Sequence, residues 1–516
     1  MKHTLPRRAV SLLSVCALGA FALMGPALAG NDRNDDDRDR DRGHRTQRCQ
    51  DLAGRHIGGA QVLAADVVAA TATLPEYCRV SGLIAPKLNF ELRLPVKWNS
   101  KLHYGGGGGY NGAIPPLTVG ALQKGFAQVS SDSGHQGSAL DASFVQGDPH
   151  AAALFGYLSV PTVTEAAREI VRHHYHHAPK RTYFEGCSNG GREGLINAQR
   201  FPWLFDGVIS RAPAYNWVGI MGAFNRTAKA LAAPGGAMST AKLNTLSNAV
   251  LAACDAADGV ADGVVSNPQA CHFNPATLRC AGGADTGDSC LSDAQLAVLN
   301  SYTSPASIAG GAYHYPGWPL SGNENAGGAW DLWVSSGPRL QFLFQDTTVK
   351  YYLAGDPLAN SLLYNFDSNP AALGALSALN DATNPALHPF LGSGGKLILW
   401  HGTNDAALSY RATLDYYSQV QAAVGGRANA DHFVRMYLAP GVNHCAGGPG
   451  ADTSDLLQAL DDWVSKHKAP STLQASKLDA SGATVLSRPL CVHPSYPQYK
   501  GHGDPALASS FTCTAP

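Results

Sequence analysis

The stretch from Thr182 to Arg200 constrains the fold of this chain more than any other. A short strand, Thr182 to Glu185, leads straight into Gly186-Cys187-Ser188-Asn189-Gly190-Gly191, and Glu193 to Arg200 then takes up helical spacing. A strand that becomes a helix within so few residues must reverse sharply. Glycines on both sides of the serine are what such a reversal needs, because the turn leaves no room for Cβ atoms beside it. The G-x-S-x-G pattern, with a strand before it and a helix after it, reads as a nucleophile elbow; the structural alternative is a tight turn with a capping serine. The helix N-terminus behind the serine also offers its backbone amides to developing negative charge.

The rest of the chain is consistent with that elbow. Leu88 to Trp98 alternates like antiparallel strands, Lys101 to Tyr104 is a short strand, Phe126 to Ser130 another, and Val163 to His177 has helical spacing. Gly207 to Ser210 is a further strand. The alternation of strand and helix predicts an α/β architecture, a mostly parallel sheet flanked by helices, as in the α/β-hydrolase fold. It lapses from Ala214 to Gly394, a stretch rich in Gly, Pro, Ser and Asn, and resumes with the apolar strand Lys396 to Trp400. A helix from Tyr410 to Ala423, a strand from Val434 to Leu438 and a helix from Thr453 to His467 complete the pattern. The expected organisation is a core in two parts, 49–213 and 395–516, interrupted by an inserted lid domain, 214–394.

A serine hydroxyl attacks poorly until a base takes its proton. In this fold the acid and then the histidine follow the serine along the chain, each on a loop after a strand. The strand at Lys396 ends in His401-Gly402-Thr403-Asn404-Asp405, and the strand at Val434 leads into Gly441-Val442-Asn443-His444-Cys445. Asp405 and His444 are therefore the expected partners of Ser188, as orienting acid and general base. Cys187 precedes the serine and Cys445 follows the histidine, so a serine and histidine in contact would bring two thiols close enough to bridge. The glycine run 105–109 follows an early strand, where half of an oxyanion hole belongs. Gly107 or Gly108, with the amide of Asn189, is the expected donor pair. A phosphate-cradling loop is the other reading, but no G-x-x-x-x-G-K-[ST] follows.

Two polar clusters stand apart from this constellation. Cys254 to Val264 packs Asp255, Asp258 and Asp262 into eight positions between glycines, a density of hard oxygens that suits Ca²⁺, with the carbonyls of Val260 and Val264 completing the shell. A solvated acidic turn is the alternative. His173 and His177 share a face if the helix continues, and could chelate a metal; as cations in a last helical turn they would also suit the helix dipole.

The N-terminus reads as an export signal over 1–29: Lys2, Arg7 and Arg8, then an apolar run to Met24, then Ala27-Leu28-Ala29. A membrane anchor, a twin-arginine signal and a lipoprotein signal at Cys16 fit less well. Residues 30–48 alternate Asp and Arg and should be a disordered charged linker. Losing the signal removes Cys16 from eleven cysteines and leaves an even ten, which in an exported chain suggests five disulfides. No C-x-x-C spacing points to zinc. A net charge of −1 gives no basic excess for nucleic acid, and no other segment is long and apolar enough to span a membrane. A secreted or periplasmic location is expected.

Taken together, Gly186-Cys187-Ser188 with Gly190-Gly191, a distant Asp405 and the His444-Cys445 pair resemble the tannase and feruloyl esterase family, over nearly the whole span from Cys49 to Cys513. The resemblance implies a bridge from Cys187 to Cys445 and pairs Cys49 with Cys78, Cys254 with Cys271, Cys280 with Cys290 and Cys491 with Cys513. It implies calcium on Asp255, Asp258, Val260, Asp262 and Val264, and a large lid that selects the substrate. It also implies hydrolysis of a small aromatic ester, of a hydroxycinnamic acid such as ferulate or of gallate, carried on a plant polysaccharide or polyphenol, or of a terephthalate monoester. Trp330, Trp333, Phe342 and Phe344 are candidate pocket walls, with core packing as their alternative. A peptidase or acyltransferase on the same triad, and a non-catalytic calcium-dependent binding protein, are the competing functions.

Overall fold

The computed structural model describes residues 43–117, 119–335 and 339–516. The chain divides into two units, residues 1–45 and residues 46–516. The expected signal and most of the expected linker lie outside the described residues. Residues 43–50 are helical, so the linker expected to reach residue 48 stops short of it. Cys49 gives the reason: it is buried and bridged to Cys78, which ties this segment to the sheet.

The strands of the core, in chain order, are β1 (His56–Ile57), β2 (Ala60–Val68), β3 (Tyr77–Ile84), β4 (Leu88–Pro95), β5 (Lys101–Gly105), β6 (Ala127–Ser131), β7 (Arg181–Ser188) and β8 (Gly207–Pro213). Two short strands, β9 (Ala306–Ile308) and β10 (Tyr313–Tyr315), pair with each other inside the insertion. β11 (Lys396–Gly402) and β12 (Val434–Ala439) return to the core. One sheet has the order β1-β2-β3-β4-β6-β5-β7-β8-β11-β12. It is antiparallel from β1 through β4 to β6 and parallel from β6 to β12.

The pattern of burial explains the difference. β4 alternates, with Leu88, Phe90, Leu92 and Leu94 buried and the polar residues between them half-buried. The parallel strands are covered on both faces and so read as continuous apolar runs. Phe184, Val208, Leu397 and Leu399 enter one apolar cluster, while their neighbours Tyr183, Ile209, Ile398 and Trp400 enter the other. The first cluster is closed by α1 (Ser159–Tyr175) and α2 (Asn189–Arg200), and the second by Leu456, Leu460 and Trp463 of a C-terminal helix, Leu456–Lys466.

Between β8 and β11 the described chain contributes no strand to the large sheet. This insertion begins with α3 (Trp217–Ala232) and includes α4 (Leu340–Thr348), and the two helices pack on each other. It belongs to the same compact unit as the core and shares its larger apolar cluster. After the last core helix the chain forms two hairpins, β13 (Leu473–Leu478) with β14 (Thr484–Leu490) and β15 (Tyr496–Tyr499) with β16 (Phe511–Thr514). All ten described cysteines are bridged, in the pairs that the family resemblance implies.

Candidate active site

Ser188 is the last residue of β7, and α2 starts at Asn189. Its φ of 63° is a left-handed conformation that a non-glycine residue adopts only under strain. The surrounding glycines are compulsory for steric reasons. A Cβ on Gly186 would lie 2.5 Å from the carbonyl carbon of Gly190, and one on Gly191 would lie 2.4 Å from the Arg211 carbonyl oxygen. The backbone is thus folded tightly enough to present the serine at the carboxyl edge of the parallel strands.

Asp405 lies on the loop after β11 and His444 on the loop after β12, both at that same edge. His444 Nδ1 is 2.7 Å from Asp405 Oδ2, and the carboxylate is fully buried. The disulfide between Cys187 and Cys445, with Cα atoms 5.9 Å apart, fastens the serine's neighbour to the histidine's neighbour. Asp405 is held on every side. Its Oδ1 accepts the amides of Ala407 and Leu408, each at 2.8 Å, and its Oδ2 faces His401 Nε2 at 3.1 Å as well as His444. Burial alone would raise its pKa, but His444 and the hydrogen bonds from His401 and His444 outweigh burial and hold the carboxyl far below the usual range. The Asp405 and His444 loops are also tied to each other and to the insertion. Asn404 donates to Asn443, and Asn443 Nδ2 donates to the Gly327 carbonyl at 2.9 Å.

His401 is a member of this cluster that sequence reasoning passed over. It is completely buried, with Nδ1 2.8 Å from Thr413 Oγ1 and Nε2 also 3.0 Å from the Leu408 carbonyl. Two acceptors facing Nε2 make it the protonated nitrogen, so His401 donates to Asp405. The signal was available, since His401 stands four residues before Asp405 at the end of an apolar strand.

The glycine loop corrects one expectation. The Gly107 amide donates to Glu193 Oε2 at 2.9 Å and so is not free for an oxyanion. Glu193 is buried and needs donors, which is why it takes this amide. The residue of the run that borders the free space beside Ser188 is Gly109.

That cavity, about 30 Å³, is bordered by Ser188 and Asn189 on the core side and by residues of the insertion opposite. Trp217, Ile220, Met221 and Phe224 come from α3, and Trp333 and Phe344 from the later part of the insertion. Trp333 meets the His444 ring edge-on at 4.9 Å and stacks on Phe344 at 6.1 Å. Of the four aromatics singled out in the sequence, Trp333 and Phe344 are therefore walls. Trp330 is buried against Tyr302, and Phe342 borders a separate cavity.

The acidic loop turns its carboxylates inward and packs against the loop that carries His444, Val264 lying against Gly441. Asp255 accepts the amides of Gly263 and Val264, and Asp262 pairs with Arg488. Asp258 Oδ2 is buried with no hydrogen-bond partner among the described residues. Burial raises the pKa of both Asp258 and Asp262. Of the three carboxylates only Asp262 is paired with a cation among the described residues, which leaves negative charge that a hard divalent ion would offset. Among the described residues no three His, Cys, Asp or Glu side chains stand gathered as a ready metal cluster. The histidine pair gives no chelate: α1 ends at Tyr175, His176 is left-handed, and His177 stacks on Trp98 at 4.7 Å.

A serine at a strand-to-helix elbow, whose neighbour Cys187 is bridged to the neighbour of a histidine paired with a buried aspartate, defines a serine hydrolase of the α/β-hydrolase class. Comparison with known proteins narrows the class. Residues 70–514 match the family described as tannase and feruloyl esterase. The chain is 36% identical to the mono(2-hydroxyethyl) terephthalate hydrolase of Piscinibacter sakaiensis, over 88% of this chain and 87% of that one. It is 29% identical to feruloyl esterase B of Aspergillus niger, over 97% of this chain and all of that one. The crystal structure of feruloyl esterase B from Aspergillus oryzae superposes with a TM-score of 0.81 at 24% identity, over 91% of this chain and all of that one, which bears out the fold. The chain belongs to the tannase and feruloyl esterase family.

Proposed function

We propose that this esterase hydrolyses esters of single-ring aromatic acids, of the hydroxycinnamic or benzoic type, through an acyl-enzyme on Ser188. The observation that carries this reading is the wall of the narrow cavity beside Ser188, aromatic and aliphatic almost throughout. Feruloyl esterase and terephthalate monoester hydrolase relatives agree with an aromatic acyl group. Because Nδ1 of His444 is engaged by Asp405, Nε2 takes the proton of Ser188 as the hydroxyl attacks the ester carbonyl. The tetrahedral oxyanion receives the Asn189 amide and one from the glycine loop, Gly108 or Gly109. His444 returns the proton to the departing alcohol, and water then releases the acid by the same route. The insertion serves as the lid whose Trp333 and Phe344 shape the acyl pocket.

The test is a panel of methyl esters: ferulate, gallate, benzoate, a terephthalate monoester and hexanoate. Hexanoate buries a comparable apolar area, so the advantage of a ring is the roughly 0.5–1.5 kcal/mol that aromatic pairing with Trp333 or Phe344 adds beyond burial, and aromatic esters should exceed hexanoate by about 2–10-fold in kcat/KM. Equal turnover of hexanoate would remove the aromatic assignment. Five disulfides and the signal-like N-terminus support export to an oxidising compartment, where the esters would be attached to plant polysaccharide or polyphenol.

We also propose that Asp255, Asp258 and Asp262, with the carbonyls of Val260 and Val264, hold Ca²⁺. The ion would neutralise the loop and contribute nothing to the chemical step. At ~100 times its dissociation constant, calcium would stabilise the fold by about 2.7 kcal/mol. A chelator should therefore lower the melting temperature and calcium restore it; no change in either direction would refute the site.

A further inference from the structure

Glu193 is an expensive residue for its place. It stands just past the first turn of the helix behind the nucleophile and is 4% exposed. Burial raises its pKa, opposed by the Gly107 amide, by Arg192 and by the Asn189 side chain. Taking a carboxylate out of water costs several kcal/mol even after relaxation. The apolar cluster around α2 needs no such group in order to pack.

What the carboxylate does is join two segments far apart in the chain. Oε2 accepts the Gly107 amide at 2.9 Å, across 86 residues. Oε1 accepts Asn189 Nδ2 at 3.2 Å. The Asn189 side chain is in turn fixed by Arg192 Nε, which donates to its Oδ1 at 2.7 Å, and reaches Asn111 Oδ1 at 3.2 Å. Arg192 is anchored by the carbonyls of Phe155 and Gly156. The surfaces so joined are in close contact: a Cβ on Gly190 would lie 2.7 Å from the Gly107 carbonyl oxygen, and one on Gly106 would lie 2.9 Å from the Gly190 Cα.

We propose that Glu193 is the positioning residue of the oxyanion site. It binds the glycine loop to the nucleophile elbow through both carboxylate oxygens, so that the Asn189 amide and the loop amide beyond Gly107 keep a fixed separation before substrate arrives. This inference rests on Ser188 acting through an oxyanion intermediate. Glu193 touches neither substrate nor reacting atoms, and its effect is on the geometry of the donors. A group of this kind should matter for the transition state and little for the ground state.

The test compares wild type with Glu193→Gln, which keeps shape and one acceptor but turns an amide nitrogen toward one of the two donors. Loss of one oxyanion donor costs ~100–1000-fold and misplacement less, so kcat should fall by about 10–100-fold with KM within about threefold. Affinity for an arylboronic acid, which forms a tetrahedral adduct on serine, should fall by a similar factor, while inhibition by the free aromatic acid stays unchanged. A purely structural role would lower the melting temperature and leave the boronate-to-acid affinity ratio alone. Glu193→Met, which fills the volume without acceptors, is the second variant and should show the same split. A folded variant with wild-type kcat and boronate affinity overturns the proposal, as does failure of both variants to fold, which would make the carboxylate a requirement of the fold. Ser188→Ala serves as the control: if it retains turnover, the nucleophile assignment fails first, whereas a dead Ser188→Ala beside a fully active Glu193→Gln removes only the role of Glu193.

Discussion

Replacing Cys187 and Cys445 together by Ser separates what their bridge does for stability from what it does for the site. The bridge joins residues 258 apart. In the chain-entropy view a loop of that length restricts the unfolded chain by about 5 kcal/mol. The bridges Cys254–Cys271 and Cys280–Cys290 lie inside the loop and shorten it, but the dependence is logarithmic and their effect is only about a tenth of a kcal/mol. Domains of ordinary stability hold roughly 5–15 kcal/mol, so the double variant should fold while losing a large part of its margin. That loss acts on the unfolded chain and says nothing about catalysis. The positional role shows in the folded variant well below its unfolding transition. There the His444 ring keeps its 2.7 Å hydrogen bond to Asp405 and the edge contact with Trp333, and its loop keeps the bonds of Asn443 to Asn404 and Gly327, but the covalent tie to the elbow is gone, and kcat should fall by about tenfold or more for a displacement of the base near 1 Å. The assay is urea unfolding without reductant, so that the other four bridges persist, alongside kcat and KM for an aromatic methyl ester. A folded double variant with wild-type kcat would refute the claim that the bridge sets the base beside the nucleophile.

Two other substitutions probe the surroundings of the site. His401→Phe removes one of the donors to Asp405, and a hydrogen bond to a charged group is worth about 1.5–3 kcal/mol, so kcat should drop by roughly 10–100-fold with KM little changed; His401→Gln, which keeps a donor, should recover part of it, and equal kcat in all three proteins would exclude a positioning role. Glu185 is pushed up by burial, but Arg211 and His103 outweigh this and hold its pKa at about 2, below the ordinary 4.5. Its contribution to stability is therefore complete above about pH 4.5 and lost as pH falls toward 2, to a total of roughly 3 kcal/mol. Arg211→Met should be less stable at pH 7 and show a shallower decline on acidification, and parallel curves for the two proteins would contradict the assignment.

Much of this was legible in the sequence, and the exceptions have physical causes. Strands β7, β8, β11 and β12 announce themselves as apolar runs because both their faces are covered, and the elbow announces itself through glycines that no other residue could replace. The spacing of Asp405 and His444 after their strands, with a cysteine beside the histidine, was enough to bring the triad residues to one edge. The hairpins after residue 472 were not foreseen. β14 is exposed over its first residues and lacks the alternation that marks a half-buried strand. Gly107 was misjudged for a different reason. Its amide is taken by a side chain 86 residues away, and no local pattern reveals that Glu193 folds back onto the glycine loop. His401 went unrecognised because a histidine at the end of an apolar strand shows its role only when the carboxylate it faces is in place.

The central assignment is Ser188 as the residue that becomes acylated. Its most direct measurement is peptide mapping by mass spectrometry after reaction of the native protein with a fluorophosphonate. A single adduct on the peptide carrying Ser188, formed in wild type and absent when His444 is replaced by Ala, is the expected result. An adduct on another residue, or an unmodified Ser188 in active protein, would contradict it.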